Sequence, residues 1–193
     1  NFSQVPVPIM SLDYVGRDQA WHSSDLALAA IIPLIDGVRH VQAIIEEADI
    51  DSFIAQQALM ELVQFGAIIL VDLFQYSNEY MPTHRLAEYI QDESMRLKCH
   101  YYTTRYSETL LSVEKRASKK QERENTEKEL LGLNLVALYS KLGGAVSVGS
   151  MLSDNMKCLD PRFDARRWVT FGIAYGIIRR IHLYPIYIDT VRS

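Results

Sequence analysis

The chain changes twice from helical to strand-like spacing, and each change directly follows a glycine. Gly66 precedes the apolar run 67–71, which is rich in β-branched residues, and Gly176 precedes a similar run at 177–183. Apolar residues three and four positions apart predict helices, whereas short β-branched runs predict strands. The repeated order therefore restricts the chain to helical units that each end in strands.

Residues 24–82 are expected to form the first unit, with three helices followed by a β-hairpin. The buried face of the third helix is expected to hold four residues at helical spacing, namely Ile54, Ala58, Leu62 and Phe65. The run 67–71 and the alternating segment 75–80 are expected to pair as the hairpin, which Pro82 ends. Three helices and a hairpin predict a winged-helix unit.

The rest of the chain is expected to repeat this order once. Residues 1–23 predict an extended lead-in, 83–128 a helical and charged linker, and 129–193 a second winged-helix unit. Its last helix is expected to begin at Asp160-Pro161, because proline suits the first helical turn. Its hairpin is expected to join 177–183 to 186–188. The predicted fold class is α+β and mostly helical, with tandem winged-helix-like units.

Charge argues against nucleic acid as the partner of the first unit. Segment 24–82 carries one arginine and nine acidic residues, a net charge of −8. The third helix of a winged-helix protein usually enters the major groove, but this one contains no lysine or arginine. The second unit offers three arginines close to acidic neighbours, namely Arg162, Arg166 and Arg167. Ion pairs on a solvated face, a protein interface and nucleic-acid binding remain open for them.

The sequence contains none of the common catalytic or nucleotide-binding motifs. No phosphate-binding glycine loop, zinc-protease motif or nucleophile elbow occurs, and the five histidines are dispersed. We therefore expect no catalytic residue, no metal and no cofactor. The expected partner-interface residues are an aromatic edge and the three arginines: Tyr76, Asn78, Tyr80, Pro82, Arg162, Arg166 and Arg167. For the aromatic edge, covering its own core is an equally good interpretation.

The length of the apolar segments and the spacing of the cysteines bear on the expected cellular location. The longest nearly unbroken apolar stretch, 168–178, is shorter than the roughly 20 residues that a membrane span needs. Cys99 and Cys158 are isolated, which favours reduced thiols in an intracellular protein. The chain begins at Asn1 without an initiator methionine, and we expect it to be a fragment that lacks its N-terminal partner region.

Three separated motifs resemble the nitrogen permease regulator 2-like family. The first is IDGVRHV at 35–41 with EAD at 47–49, and the second is QYSN at 75–78 with Tyr80 and Pro82-Thr83. The third is Phe171-Gly172 with IRR at 178–180 and Tyr184-Pro185. The motifs occur in the family's order over residues 25–189, whereas the charged middle stretch fits poorly. The matching part is the C-terminal half of such proteins.

The resemblance implies a role in nutrient sensing. Such proteins pair with a nitrogen permease regulator 3-like protein and join a DEP-domain subunit. The trimer activates GTP hydrolysis by Rag-type GTPases and restrains TOR signalling when amino acids are scarce. The family's catalytic arginine lies in an N-terminal longin domain, which has no counterpart here. The resemblance thus implies a cytoplasmic scaffold that the complex recruits to the vacuolar or lysosomal membrane, without membrane insertion or nucleic-acid binding of its own.

Two other hypotheses remain open at this point. A tandem winged-helix protein that binds nucleic acid would use the arginines at 162, 166 and 167. A fragment that itself activates a GTPase would use Arg39 or Arg180 as an arginine finger, a device that accelerates hydrolysis by about 10³–10⁵.

Overall fold

The computed structural model describes residues 2–10, 12, 26–104, 134–144, 146–155 and 159–182. In this part of the chain the fold is α+β and mostly helical, as the sequence predicts. The helices are α1 (Leu26–Ile31), α2 (Val41–Ala48), α3 (Ser52–Gln64), α4 (Arg85–Gln91), α5 (Glu93–Thr104), α6 (134–140), α7 (Val148–Asn155) and α8 (Ala165–Ala174). The strands are β1 (Gln4–Pro8), β2 (Ile68–Asp72), β3 (Tyr80–Pro82) and β4 (Ile178–Arg180).

The first three helices begin and end where their capping residues dictate. A 3-10 turn at Ile32–Leu34 contains Pro33 and ends α1. The side chain of Asp51 accepts hydrogen bonds from the backbone N–H groups of Phe53 (2.9 Å) and Ile54 (3.3 Å), which fixes the start of α3. The predicted three-helix order of the first unit is therefore confirmed.

Both helices that precede a strand end in the same closing turn. After α3, Gly66 N–H donates to Val63 and Ala67 N–H donates to Leu62; after α8, Gly176 N–H donates to Ile173 and Ile177 N–H to Gly172. Gly66 and Gly176 both have a φ of +67°, which favours glycine. The repeated helix–glycine–strand order is thus confirmed at the level of individual hydrogen bonds.

The buried face of α3 differs from the sequence prediction. The buried residues are Ala55, Ala58, Leu59 and Leu62, whereas Ile54 and Phe65 are about half exposed. The expected face therefore shares Ala58 and Leu62 with the observed face, and its centre was wrong by roughly half a residue, or about 50° of rotation. α1 packs against α3, and the buried face of α3 includes the small side chains of Ala55 and Ala58.

The predicted hairpin of the first unit is wrong, because its two strands pair with other segments. β2 pairs antiparallel with β1 from the lead-in, with Val5 opposite Val71 and Val7 opposite Ile69. Val5 and Val7 are both buried, so β1 contributes apolar side chains to the core. Residues 75–78 instead form a tight turn, closed by a hydrogen bond from Asn78 N–H to the Gln75 carbonyl (3.0 Å).

The second strand pair joins the two predicted units. β3 pairs antiparallel with β4, with Tyr80 opposite Arg180 and Pro82 opposite Ile178. β4 thus pairs with the earlier unit rather than with its own expected partner at 186–188, which lies outside the described residues. The winged-helix detail is not confirmed, since neither strand pair of the described residues is a local hairpin.

Two apolar cores lie on either side of the strands. The first core joins α1, α2, α3 and β2 around the fully buried residues Ile31, Ile44 and Leu62. The second core joins the helices from α4 onward and is rich in aromatic rings: Tyr89, Tyr102, Tyr139, Trp168 and Phe171. Within it Tyr139 stacks on Trp168, with ring centroids 4.5 Å apart.

The predicted linker 83–128 contributes directly to the second core. Its described part forms α4 and α5, and these helices bury Tyr89, Cys99 and Tyr102. Residues 85–104 are therefore helical, as expected, and they pack against the second core. Residues 105–128 lie outside the described residues, and the domain boundaries stay a prediction.

Candidate interaction surfaces

The ends of the strands carry a polar cluster that connects the two strand pairs. We call Gln4, Asp72, Asn78 and Arg180 the strand-end cluster. Arg180 Nη1 donates to Asp72 Oδ2 at 2.8 Å, and Arg180 Nη2 donates to Asn78 Oδ1 at 2.9 Å. Gln4 Nε2 donates to the other oxygen of Asp72 at 3.3 Å. One arginine therefore holds residues from β2, the turn before β3, and β4 in a fixed geometry.

Two residues of the predicted aromatic edge, Asn78 and Tyr80, are buried in the fold. Tyr80 is fully buried, and Asn78 Nδ2 donates both to the Tyr80 hydroxyl (3.3 Å) and to the Leu73 carbonyl (3.2 Å). Burial raises the pKa of Tyr80, because the phenolate would lose its hydration. The side chains of Asn78 and Tyr80 thus cover the chain's own core, which is the alternative that the sequence left open.

Tyr76 and Pro82 occupy different environments from those two residues. The Tyr76 side chain is 60% exposed and makes an edge-to-face contact with Phe74, with centroids 5.1 Å apart. The Tyr76 carbonyl accepts a hydrogen bond from Gly149 N–H (2.8 Å) at the start of α7. Pro82 is half-buried opposite Ile178. Of the predicted edge, Tyr76 is the residue that presents an aromatic ring to solvent.

The three arginines of the second unit do not form a basic patch. α8 begins at Ala165 rather than at Asp160, because Asp164 accepts a hydrogen bond from Arg167 N–H (3.1 Å) and caps the helix there. Arg162 therefore precedes the helix and does not share a helical face with Arg166. The expected start at Asp160-Pro161 was wrong, since Asp160 instead accepts from Arg162 N–H in the preceding turn.

Each of these arginines is engaged within the chain. Arg162 Nε and Nη2 donate to the two oxygens of Asp160 at 3.1 and 2.9 Å, and this pairing lowers the pKa of Asp160 to about 2. Arg166 Nη2 lies 3.8 Å from Asp164 Oδ2. Arg167 is buried, with its guanidinium 4.2 Å from the centroid of the Tyr102 ring. This arrangement fits ion pairing within the chain better than contact with phosphates.

The outer face of α3 was not predicted as an interaction surface. Phe53 and Met60 are 65% and 49% exposed, and Ile54 and Phe65 are similarly exposed beside them. We call Phe53, Ile54 and Met60, which lie within α3, the α3 outer face. The sequence held a signal for it, because apolar residues occupy both sides of α3, and a helix that is apolar all round usually contacts something on each side.

The described residues contain no group of three or more side chains suited to hold a metal ion. A small hollow of about 10 Å³ is lined by His100, Asn134, Asp160, Phe163 and neighbours, which is far below the usual size of a ligand pocket. Within the same described ranges, no helix has the length and apolar character required to cross a bilayer.

Comparison with known proteins agrees with the sequence motifs. The model of the family described as "Nitrogen permease regulator 2" matches residues 1–192. The Drosophila melanogaster protein named "GATOR complex protein NPRL2" is 29% identical over 178 residues, which are 92% of this chain and 38% of that protein. The Schizosaccharomyces pombe "Nitrogen permease regulator 2 homolog" is 26% identical over 94% of this chain and 39% of its own length.

A third relative matches a shorter part of this chain and 16% of its own length. The Saccharomyces cerevisiae "Nitrogen permease regulator 2" is 28% identical over 54% of this chain. The chain spans less than two fifths of the length of the fly and fission-yeast relatives. Since the family model covers nearly every residue, the chain belongs to the nitrogen permease regulator 2 family.

Proposed function

We propose that this chain is a non-catalytic assembly portion of a GTPase-activating complex that restrains TOR signalling when amino acids are scarce. The observation that carries the proposal is the family match over residues 1–192, together with a relative whose name places it in the GATOR complex. Its direct partners would be a nitrogen permease regulator 3-like protein and a DEP-domain subunit, and it would reach Rag-type GTPases indirectly. The complex would bring it from the cytoplasm to the vacuolar or lysosomal membrane.

The environments of Arg39 and Arg180 support a non-catalytic role. An arginine finger must be free to reach the phosphates of a bound nucleotide. Arg39 Nε lies 3.2 Å from Glu47 and 3.8 Å from Asp36. Arg180 contributes to the strand-end cluster through two hydrogen bonds. Both guanidinium groups are thus committed to intramolecular contacts.

Nucleic-acid binding, the alternative function, finds no supporting surface among the described residues of the first unit. In the described part of the first unit the lone basic side chain is Arg39, and it is ion-paired. Because attraction to phosphates needs several uncompensated cations, we expect no shift of duplex DNA even at about 50 mM salt.

Co-expression tests the proposal directly. We expect the chain to co-elute with a nitrogen permease regulator 3-like protein at micromolar concentration, and to leave GTP hydrolysis by a Rag-type GTPase unchanged when it is added alone. Separate elution of the two proteins would argue against the assembly role. Faster hydrolysis with the chain alone, lost in an Arg39→Ala or Arg180→Ala variant, would show that the chain is catalytic.

A further inference from the structure

The α3 outer face has a shape that suits another helix. Phe53, Gln57, Met60 and Gln64 follow one another at spacings of four, three and four residues, so they form one straight stripe opposite the buried Ala58 and Leu62. The stripe is about 16 Å long, which corresponds to about three turns of a partner helix.

A second, parallel row widens the surface. Ile54, Glu61 and Phe65 lie beside the stripe at spacings of seven and four residues. Single exposed apolar residues are ordinary, but three on the outer side of one helix of 13 residues are not. Aromatic residues and methionine are also the types that are enriched in protein interfaces.

The charges around this surface identify the chemistry of its occupant. Asp49 and Asp51 are exposed just before α3 in the chain, and Glu61 lies within the surface itself. α3 carries no lysine or arginine. A second copy of this face, an anionic lipid surface or a nucleic acid would each be repelled by these carboxylates.

We propose that the α3 outer face binds an amphipathic helix of another polypeptide, with lysine or arginine residues flanking the helix's apolar side. The apolar stripe of that helix would pack on Phe53 and Met60, while its cations would face Asp51 and Glu61. The proposal rests on the assembly role given above and adds the surface and the charge of the partner.

Peptide-binding measurements test the predicted charge of the partner helix. The probes are two labelled 18-residue amphipathic helices with the same leucine stripe, one carrying lysines and the other glutamates on its polar face. We expect the intact chain to bind the lysine peptide at least about tenfold more tightly than the glutamate peptide in fluorescence anisotropy at 150 mM salt. Equal affinity for the two peptides would overturn the proposal.

Paired variants locate the binding on α3. Phe53→Ser with Met60→Ser should weaken binding of the lysine peptide by about tenfold or more, a loss of about 1.4 kcal/mol. The matched control, Leu73→Ser with Ile90→Ser, removes two exposed apolar side chains elsewhere and should change the affinity by less than about twofold. Equal losses in both double variants would overturn the proposed location.

A third variant avoids any effect on packing. Gln57 is exposed at the centre of the stripe, so Gln57→Lys should leave the thermal unfolding temperature unchanged. It should weaken binding of the lysine peptide several-fold and strengthen binding of the glutamate peptide. Unchanged affinities for both peptides would show that neither helix lies on this face.

A photo-crosslinking residue at position 57 identifies the natural occupant in the assembled complex. We expect it to capture a basic amphipathic segment of a partner subunit; capture of a second copy of this chain, or no capture in an intact complex, would overturn the inference. If no complex assembles at all, the proposed function fails, whereas the peptide measurements still decide the inference.

Discussion

Arg180 and Asp72 are 108 residues apart in the chain, yet their side chains meet at 2.8 Å. Both side chains are about three quarters buried, so solvent screens this ion pair less than it would screen a fully exposed one. Asn78 accepts from the same guanidinium, and the strand-end cluster therefore connects β2 to the β3–β4 pair. This contact holds the two predicted units together by charge as well as by strand pairing.

Replacing Arg180 should cost more stability than replacing its neighbour. We expect Arg180→Ala to lower the free energy of unfolding by about 1–2 kcal/mol, because Asp72 and Asn78 lose a charged donor. Arg179 is exposed on the same strand, and Arg179→Ala should cost less than about 0.5 kcal/mol. Urea denaturation of the two variants measures the difference, and similar values would contradict a specific role of Arg180.

Gly172 should tolerate no larger side chain. A Cβ atom at this position would lie 2.8 Å from both Ile178 Cγ1 and Tyr139 Cε1, closer than such atoms can approach. We expect Gly172→Ala to lower the free energy of unfolding by about 1–3 kcal/mol, since α8 must move away from α6 and β4. The control Ser150→Ala lies on an exposed helical position and should be nearly neutral. A neutral Gly172→Ala in thermal denaturation would refute this packing.

The capping residue of α3, Asp51, should contribute measurably to the stability of the folded chain. We expect Asp51→Ala to destabilise the chain by about 0.5–2 kcal/mol, because the N–H groups of Phe53 and Ile54 lose their acceptor. Ser52→Ala, one residue later and equally exposed, should change stability much less. Denaturation monitored by circular dichroism compares them, and an inverted order would contradict Asp51 as the cap.

The Asp160–Arg162 pair should make stability depend on pH in the acidic range. The pKa of Asp160 in the folded chain is about 2, below the ordinary aspartate value of about 3.9. Its contribution is therefore complete above about pH 4 and is lost as the pH falls through about 2.

Arg162→Ala removes the cause of that shift. We expect the carboxyl resonance of Asp160 in an NMR titration to move its midpoint upward, towards the ordinary aspartate value, and the acid-induced loss of stability between pH 4 and 2 to become smaller. Arg166→Ala is the control, since Arg166 contacts Asp164 instead. An unchanged Asp160 midpoint in the Arg162 variant would show that the side-chain pair does not form.

Local sequence rules predicted the helices and strands well. The strand partners and the buried helix faces became known only from the structure. Gly66 and Gly176 end their helices as expected, because a positive φ is a property of the local backbone. The partner of β2 could not be predicted, since Val5 and Val7 lie in a segment whose two prolines hide its strand pattern. For the predicted interface residues, the sequence pattern does not show which side chains are buried, and the structure buries Tyr80 and Arg167.

The pairing of β3 with β4 has a consequence for the newly made chain. Tyr80–Pro82 leaves the ribosome about 100 residues before Ile178–Arg180, which at normal rates of synthesis is a wait of about 5–20 s. During that time an open strand edge is available to any other extended peptide. Truncation before residue 178 would make this vulnerable period permanent, so shortened products should aggregate rather than accumulate as stable halves.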